Sequence, residues 1–275
     1  MLKKFLLTLC MLVAVAAGAD AQCGAVNDAI KPGEKLTYEL KFNWKFIWLK
    51  VGHAVMKVDT VTRYGMDCLQ TDLRSYTNGF ADRFFRMRDT LTCITTDDLV
   101  PLYFRKGAEE GKKYTVDEIR YSYDDGKCCV KQQRIRNGEP VQCYDEVEDC
   151  VYDMLSIMLQ ARSYDASKYN VGDKILFSMA TGKAIEEQTL IYRGKKNFRA
   201  ENGTTYRCLV FSFVEYEGKG KSKDKEKEVI TFFITDDDNH LPVRLDMYLN
   251  FGSAKVFLSE IEGNKYPLTS IVGKK

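Results

Sequence analysis

Residues 145–162, D-E-V-E-D-C-V-Y-D-M-L-S-I-M-L-Q-A-R, are the one stretch of this chain with a helical period; the sequence on either side alternates as strands do. Val147, Cys150, Val151, Met154, Leu155, Met158 and Ala161 recur at steps of three and four and so share one face. Asp145 reads as an N-cap with Glu148 three residues on. Glu146, Glu148 and Asp149 fall at the positive end of the helix dipole and Arg162 at the negative end. A single amphipathic rod in a β chain has to be covered by sheet.

The strands are read from strict alternation. Leu36, Tyr38, Leu40, Phe42 and Trp44 face one way, and Lys35, Thr37, Glu39, Lys41 and Asn43 the other. Val51 to Val58 returns beyond an aromatic tip. Further strands are expected at 68–76, 84–95, 102–106, 113–123 and 129–135. After the helix they fall at 174–179, 187–192, 206–216, 228–235, 242–249 and 254–261. Asp125-Gly126 and Asn137-Gly138 are tight hairpin turns. Residues 217–228, E-G-K-G-K-S-K-D-K-E-K-E, hold no apolar side chain and read as a long solvated hairpin loop.

The two β regions echo one another. Lys31-Pro32-Gly33-Glu34-Lys35-Leu36 returns as Asn170-Val171-Gly172-Asp173-Lys174-Ile175, and Cys68-Leu69 as Cys208-Leu209. Ile94-Thr95-Thr96-Asp97-Asp98 returns as Ile234-Thr235-Asp236-Asp237-Asp238, and Glu118-Ile119 as Glu260-Ile261. The order and spacing are kept, so an internal duplication is expected, with halves at about 31–144 and 168–268 joined by helix 145–162. The expected fold is mainly β: large curved antiparallel sheets (a β-roll, sandwich or open barrel) in two similar halves around one central α-helix, forming a single domain over 22–275. A sheet with one apolar face cannot stand alone in water, and two such halves can cover each other.

The N-terminus carries Lys3 and Lys4, an apolar run from Phe5 to Ala17, and Ala19-Asp20-Ala21, which together read as a signal peptide cleaved after Ala21. The expected location is periplasmic or secreted, with lipid anchoring through Cys23 as the rival reading. Of nine cysteines, Cys10 leaves with the leader. The remaining Cys23, Cys68, Cys93, Cys128, Cys129, Cys143, Cys150 and Cys208 are disulfide candidates in an exported chain. Cys68 with Cys93 is the local pair expected. Cys128 and Cys129 must point to opposite faces of a strand. The absence of any C-x-x-C and the presence of only two histidines argue against a metal site. A formal net charge of +2, with both signs interspersed, points away from nucleic acid.

P-G-E-K-L-T-Y (32–38), D-M-L-S (153–156) and D-D-D-N-H-L-P-V-R-L (236–245) carry a resemblance to a bacterial envelope family catalogued as domain of unknown function 3108. The likeness runs from Pro32 to Leu258. It implies an exported, β-rich protein of Gram-negative bacteria, and brings with it no activity, cofactor or catalytic residue.

Two clusters carry candidate chemistry. Asp236, Asp238 and His240 are the residues an acid–base hydrolase would use, set against the plainer reading of a polar turn closed by its own Asx hydrogen bonds. Trp44, Phe46 and Trp48 crowd one hairpin tip as a possible binding surface, set against closure of the core. Met154 and Met158 on the helix are binding candidates that read more simply as core. The functional expectation is an exported envelope protein without catalysis or cofactor: a binding or scaffolding module for an apolar small molecule, a lipid or an envelope protein segment. The alternatives are a hydrolase built on His240 with Asp236 or Asp238, and a structural partner of an envelope complex with no pocket. No segment after the leader is long and apolar enough to span a membrane.

Overall fold

The computed structural model describes residues 23, 25–44, 47–217, 225–249 and 252–273. The leader-like segment, Phe46 and residues 218–224 of the lysine-rich loop lie outside the described residues. In chain order the strands are β1 (Lys35–Trp44), β2 (Ile47–Arg63), β3 (Met66–Thr77), β4 (Met87–Thr95), β5 (Pro101–Glu110), β6 (Lys113–Asp124), β7 (Lys127–Arg136), β8 (Glu139–Val147) and β9 (Val151–Tyr152). The helix α1 (Met154–Ala161) follows, then β10 (Lys174–Ala180), β11 (Ile185–Arg199), β12 (Thr205–Glu217), β13 (Lys225–Thr235), β14 (Pro242–Leu249), β15 (Gly252–Glu262) and β16 (Ile271–Gly273).

All sixteen strands join one sheet in the order β8-β7-β6-β5-β4-β3-β2-β1-β15-β14-β13-β12-β11-β10-β9, with β16 added beside β12. β1–β8 form one antiparallel meander and β10–β15 another. The first strand of one pairs with the last strand of the other, Leu36 opposite Ile261 and Leu40 opposite Val256. The strands therefore start in the middle of the sheet, run out to one edge at β8, and return from the other edge at β9 to the middle.

The sheet curls until its two ends approach each other. Ala180 of β10 and Ile185 of β11 pack into a cluster with Leu91, Phe104, Ile119 and Val130 of β4–β7. The backbone ladder stops at β8 and β9, and side chains bridge the seam instead. Arg134 Nη2 donates to Thr181 O at 2.6 Å, and Gly182 N donates to Gln132 Oε1 at 3.0 Å. Gly182 has φ +89°, and a Cβ there would fall 2.7 Å from the Asp117 carboxyl, so both its dihedral and its proximity demand glycine.

The helix is shorter than its period suggests. Residues 145–147 belong to β8, where Asp145 lies opposite Val130 and Val147 opposite Cys128, and Val151–Tyr152 pairs with β10. Ladder hydrogen bonds to β7 outweigh the local helical pattern. The N-cap is Asp153, not Asp145. Its Oδ1 accepts from Leu155 N and Ser156 N at 2.9 Å, while Ser156 Oγ accepts from Asp153 N at 2.8 Å. Leu155 packs with Leu91, Cys93 and Ile119, and Leu159 with Val58, Leu69 and Leu99. Burying each leucine is worth about 2 kcal/mol. Residues 84–86 are likewise not strand: they close a 78–86 loop around a 3₁₀ turn at Ala81–Arg83.

Among the described residues one disulfide is present, Cys23–Cys150, with Cα atoms 5.1 Å apart, and it ties the start of the described chain to the approach of the helix. The expected Cys68–Cys93 pair does not form. Thr71 lies opposite Cys93, so Cys68, three residues away on the same strand, faces the other side of the sheet. Cys68, Cys93, Cys128, Cys129 and Cys208 are buried thiols, and Cys143 is half-buried. They pack as small apolar residues, and burial pushes the Cys208 thiol up to about 12.

Candidate functional site

The helix end of the molecule gathers a buried polar knot. Arg162, the C-cap residue, is wholly buried and forms a two-pronged pair with Glu34, Nη1 to Oε1 at 2.5 Å and Nη2 to Oε2 at 2.8 Å. The same guanidinium donates to Asn239 O from Nη2 at 3.0 Å and from Nε at 3.2 Å. His240 Nδ1 sits 2.6 Å from Arg162 O; a carbonyl only accepts, so the ring donates and satisfies one of the last helical carbonyls. Asn239 Nδ2 reaches Tyr266 O at 2.9 Å, and Asp237 takes Thr235 Oγ1 and Asn239 N on one oxygen and Ser270 N on the other. At the opposite end of the helix the Asp153 carboxyl is pushed up to about 6 by burial, which the N–H groups of Ser156 and Leu155 only partly offset.

This arrangement accounts for all three sequence motifs. Glu34 of the first holds Arg162, Asp153 and Ser156 of the second cap the helix, and Asn239 and His240 of the third hold its far end. The hydrolase candidates are dispersed accordingly. Asp236 accepts from Lys195 Nζ at 2.9 Å and Arg207 Nε at 2.8 Å; burial opposes its ionisation, but these two cations win and hold the carboxyl below its usual range. Asp238 is exposed and the His240 ring is committed to the helix. The cluster is a turn that clamps. Among the described residues no group of three His, Cys, Asp or Glu side chains is placed to hold a metal.

The remaining candidates divide. Met158 packs against the core, whereas Met154 is half exposed. Trp48 stands at the hairpin tip with Lys255 Nζ 4.4 Å from its ring centroid. Trp44 ends β1, and its side chain lies outside what is described. The space between helix and sheet is filled by packed leucines and aromatics, so an apolar ligand has no seat beneath the helix.

A seat does open on the other face. Strands four places apart in a flat sheet lie about 19 Å from one another. Yet Phe198 of β11 meets Phe233 of β13 at 6.0 Å and stacks on Phe257 of β15 at 6.1 Å. The outer part of the β11–β12 hairpin must therefore fold back over the sheet. The register break between Tyr192 and Gly194 supplies the bend, and an ion pair between Glu201 and Lys41 fastens the tip to β1. Between this arm and the strands beneath lies a groove of about 690 Å³. Arg193, Lys195, Lys196 and Arg199 line the arm, and Arg244 lies in the floor with its guanidinium 4.8 Å from the Phe233 centroid and 5.2 Å from that of Phe198. Arg244 is held by both oxygens of Asp246, at 2.8 and 2.5 Å. Arg193 is anchored to Ser212 and Glu226. Of the five cationic side chains in the lining, Arg193 is paired with Glu226, Lys195 with Asp236 and Arg244 with Asp246, which leaves Lys196 and Arg199 set against Glu228. Such a surface suits a ligand with an anionic group and a flat or apolar portion. No single motif announces it: its residues are spread over four strands, β11 to β14, and only the fold-back assembles them.

Fold and groove together define a curled, barrel-like antiparallel β protein with an outer-face cleft. The chain belongs to the DUF3108 family of proteins of unknown function, whose model matches residues 37–259. It is similar in fold to a β-barrel-like protein of domain of unknown function DUF1849 from Brucella abortus, with a TM-score of 0.54 at 11% identity over 85% of this chain and 98% of that one. A Bacteroides fragilis protein of YmcC-like fold aligns over 87% of this chain and 100% of its own, at 9% identity and a TM-score of 0.37. No curated protein matches the chain.

Proposed function

We propose that the protein is an exported, non-catalytic binding module of the bacterial envelope, and that the outer groove holds an anionic, partly apolar ligand. The observation that carries this reading is the placing of Lys196 and Arg199 on the arm above a floor where Arg244 lies against Phe198 and Phe233. Export is supported by the leader-like N-terminus and by a Cys23–Cys150 disulfide suited to an oxidising compartment. A sulfur in a disulfide is not open to acylation, which favours the unlipidated form.

The test uses dodecyl phosphate as probe and dodecanol as neutral control, in calorimetric titration of the disulfide-intact chain. Wild type should bind the phosphate more tightly. Lys196→Glu with Arg199→Glu should weaken that binding at least tenfold with no change in melting temperature. Equal affinity for probe and control, or a charge-reversed variant that binds as wild type does, would sink the reading.

A further inference from the structure

The end of the sheet opposite the helix clamp carries a second surface, independent of the groove. Ile47 and Trp48 open β2, Phe80, Phe84 and Phe85 lie in the β3–β4 loop, and Tyr114 follows Lys113 at the start of β6. Phe84 is 72% exposed, Ile47 63%, Phe80 55% and Tyr114 53%. Antiparallel order brings these turns to one end, and hydrogen bonds make them continuous. Asn78 N donates to Val51 O at 2.7 Å, Asn78 Nδ2 to Lys50 O at 2.9 Å, and Gly111 N to Arg86 O at 2.7 Å.

The β3–β4 loop is ordered from within. Ala81 N is bonded to Asn78 Oδ1, Asp82 N to Asn78 O, Phe84 N and Phe85 N to Ala81 O, and Met87 N to Thr77 Oγ1. Arg88 grips Asp82 at 2.6 Å and also reaches Thr77 O. A loop with these donors already satisfied can enter a region poor in water without leaving them unpaired. The charge around it is lopsided. Asp82 is held by Arg88 and Glu109 by Arg86, while Arg83, Lys112 and Lys113 stand exposed at the rim against Glu110.

We propose that this aromatic and basic rim docks the protein on the surface of an anionic lipid bilayer. The phenylalanine and tryptophan rings enter the headgroup region, and Arg83, Lys112 and Lys113 meet lipid phosphates. Rings on separate loop tips at one end fit a fluid interface of this kind, and basic side chains near such a surface each strengthen attachment.

The full chain with its disulfide intact is mixed with phosphatidylglycerol–phosphatidylcholine vesicles and, separately, with pure phosphatidylcholine. Sedimentation with the vesicles is measured alongside tryptophan emission, to which Trp44 and Trp48 are the contributors. Wild type should bind the anionic vesicles with a blue shift in emission and should release at high salt. Phe84→Ser with Phe85→Ser should weaken partitioning at least tenfold. Lys112→Glu with Lys113→Glu should remove the preference for anionic lipid, and both variants should melt as wild type does. The proposal is overturned if wild type ignores anionic vesicles, if the serine variant partitions unchanged, or if the rim instead mediates a vesicle-independent dimer in analytical ultracentrifugation. Dodecyl phosphate binding in the groove is untouched by these variants, so the two sites fail separately.

Discussion

The two ends of the curled sheet are made of the same alternating strands and treat polar and apolar groups in opposite ways. At the helix end, Glu34, Asp153, Arg162 and Asn239 are each essentially removed from water and answered by hydrogen bonds. At the other end phenylalanines stand in solvent, on a loop whose own backbone is satisfied. Burying the Arg162–Glu34 pair is expensive unless every donor finds an acceptor, so such a pair demands a fixed geometry more than it adds net stability. Exposing Phe84 is unfavourable in solution and makes sense where something other than water meets it. Fixed geometry is concentrated at the first end, and exposed apolar surface at the second.

The contrast breaks most sharply at Arg162. Arg162→Leu strands the Glu34 carboxylate and is expected to remove about 3–5 kcal/mol, lowering the melting temperature by roughly 10 °C. Calorimetry of the single variant against Arg162→Leu with Glu34→Leu tests it: the double variant should recover part of the loss. If the single variant melts within a degree or so of wild type, the clamp does not hold the helix. Next in size is the disulfide. Cys23→Ser, or reduction, should cost about 2–4 kcal/mol, read as a lower urea midpoint.

Smaller still is the pH response of the cap. The Asp153 carboxyl, and Asp89 with it, is raised to about 6 chiefly by burial, above the ordinary aspartate value near 3.8 that applies unfolded. Between those values the folded chain binds more protons than the unfolded one, so stability should fall as pH rises from about 4 to about 6. Asp153→Asn keeps an oxygen for the two N–H groups and should flatten its share of that slope; Asp153→Ala should lose about 1 kcal/mol at any pH. Urea midpoints at several pH values decide this, and a wild-type profile rising over that window would contradict it. The smallest effect belongs to the rim. Phe84→Ser should change stability by no more than about 0.5 kcal/mol, which separates this end from the other by simple melting.

How much of this was legible beforehand depended on the range of the interactions. The strands were visible because burial on one face imposes a two-residue period wherever it occurs. The helix starts later than its period suggests because residues 145–147 satisfy a helical period and a strand ladder equally well, and β7 decides between them. Asp153-x-x-Ser156 was the signal that places the cap correctly. The Glu34–Arg162 clamp joins residues 128 apart, and no spacing rule reaches that far. At the rim, Trp48 stands out in the sequence, whereas the pattern over 84–95 extends a strand through Phe84 that the structure begins only at Met87. The interleaving of rings and charges in F-A-D-R-F-F-R, residues 80–86, marks the loop more clearly than its hydrophobicity does.

The seam has one more consequence. A barrel without a closing ladder leaves two strand margins that neighbouring molecules could extend into fibrils. Here one margin, β9, is two residues long, and the other, β8, reads E-P-V-Q-C-Y-D-E-V, with a proline and three acidic groups along it. Each is a poor template for a further strand. The unfinished join therefore offers neighbouring molecules no strand margin to extend.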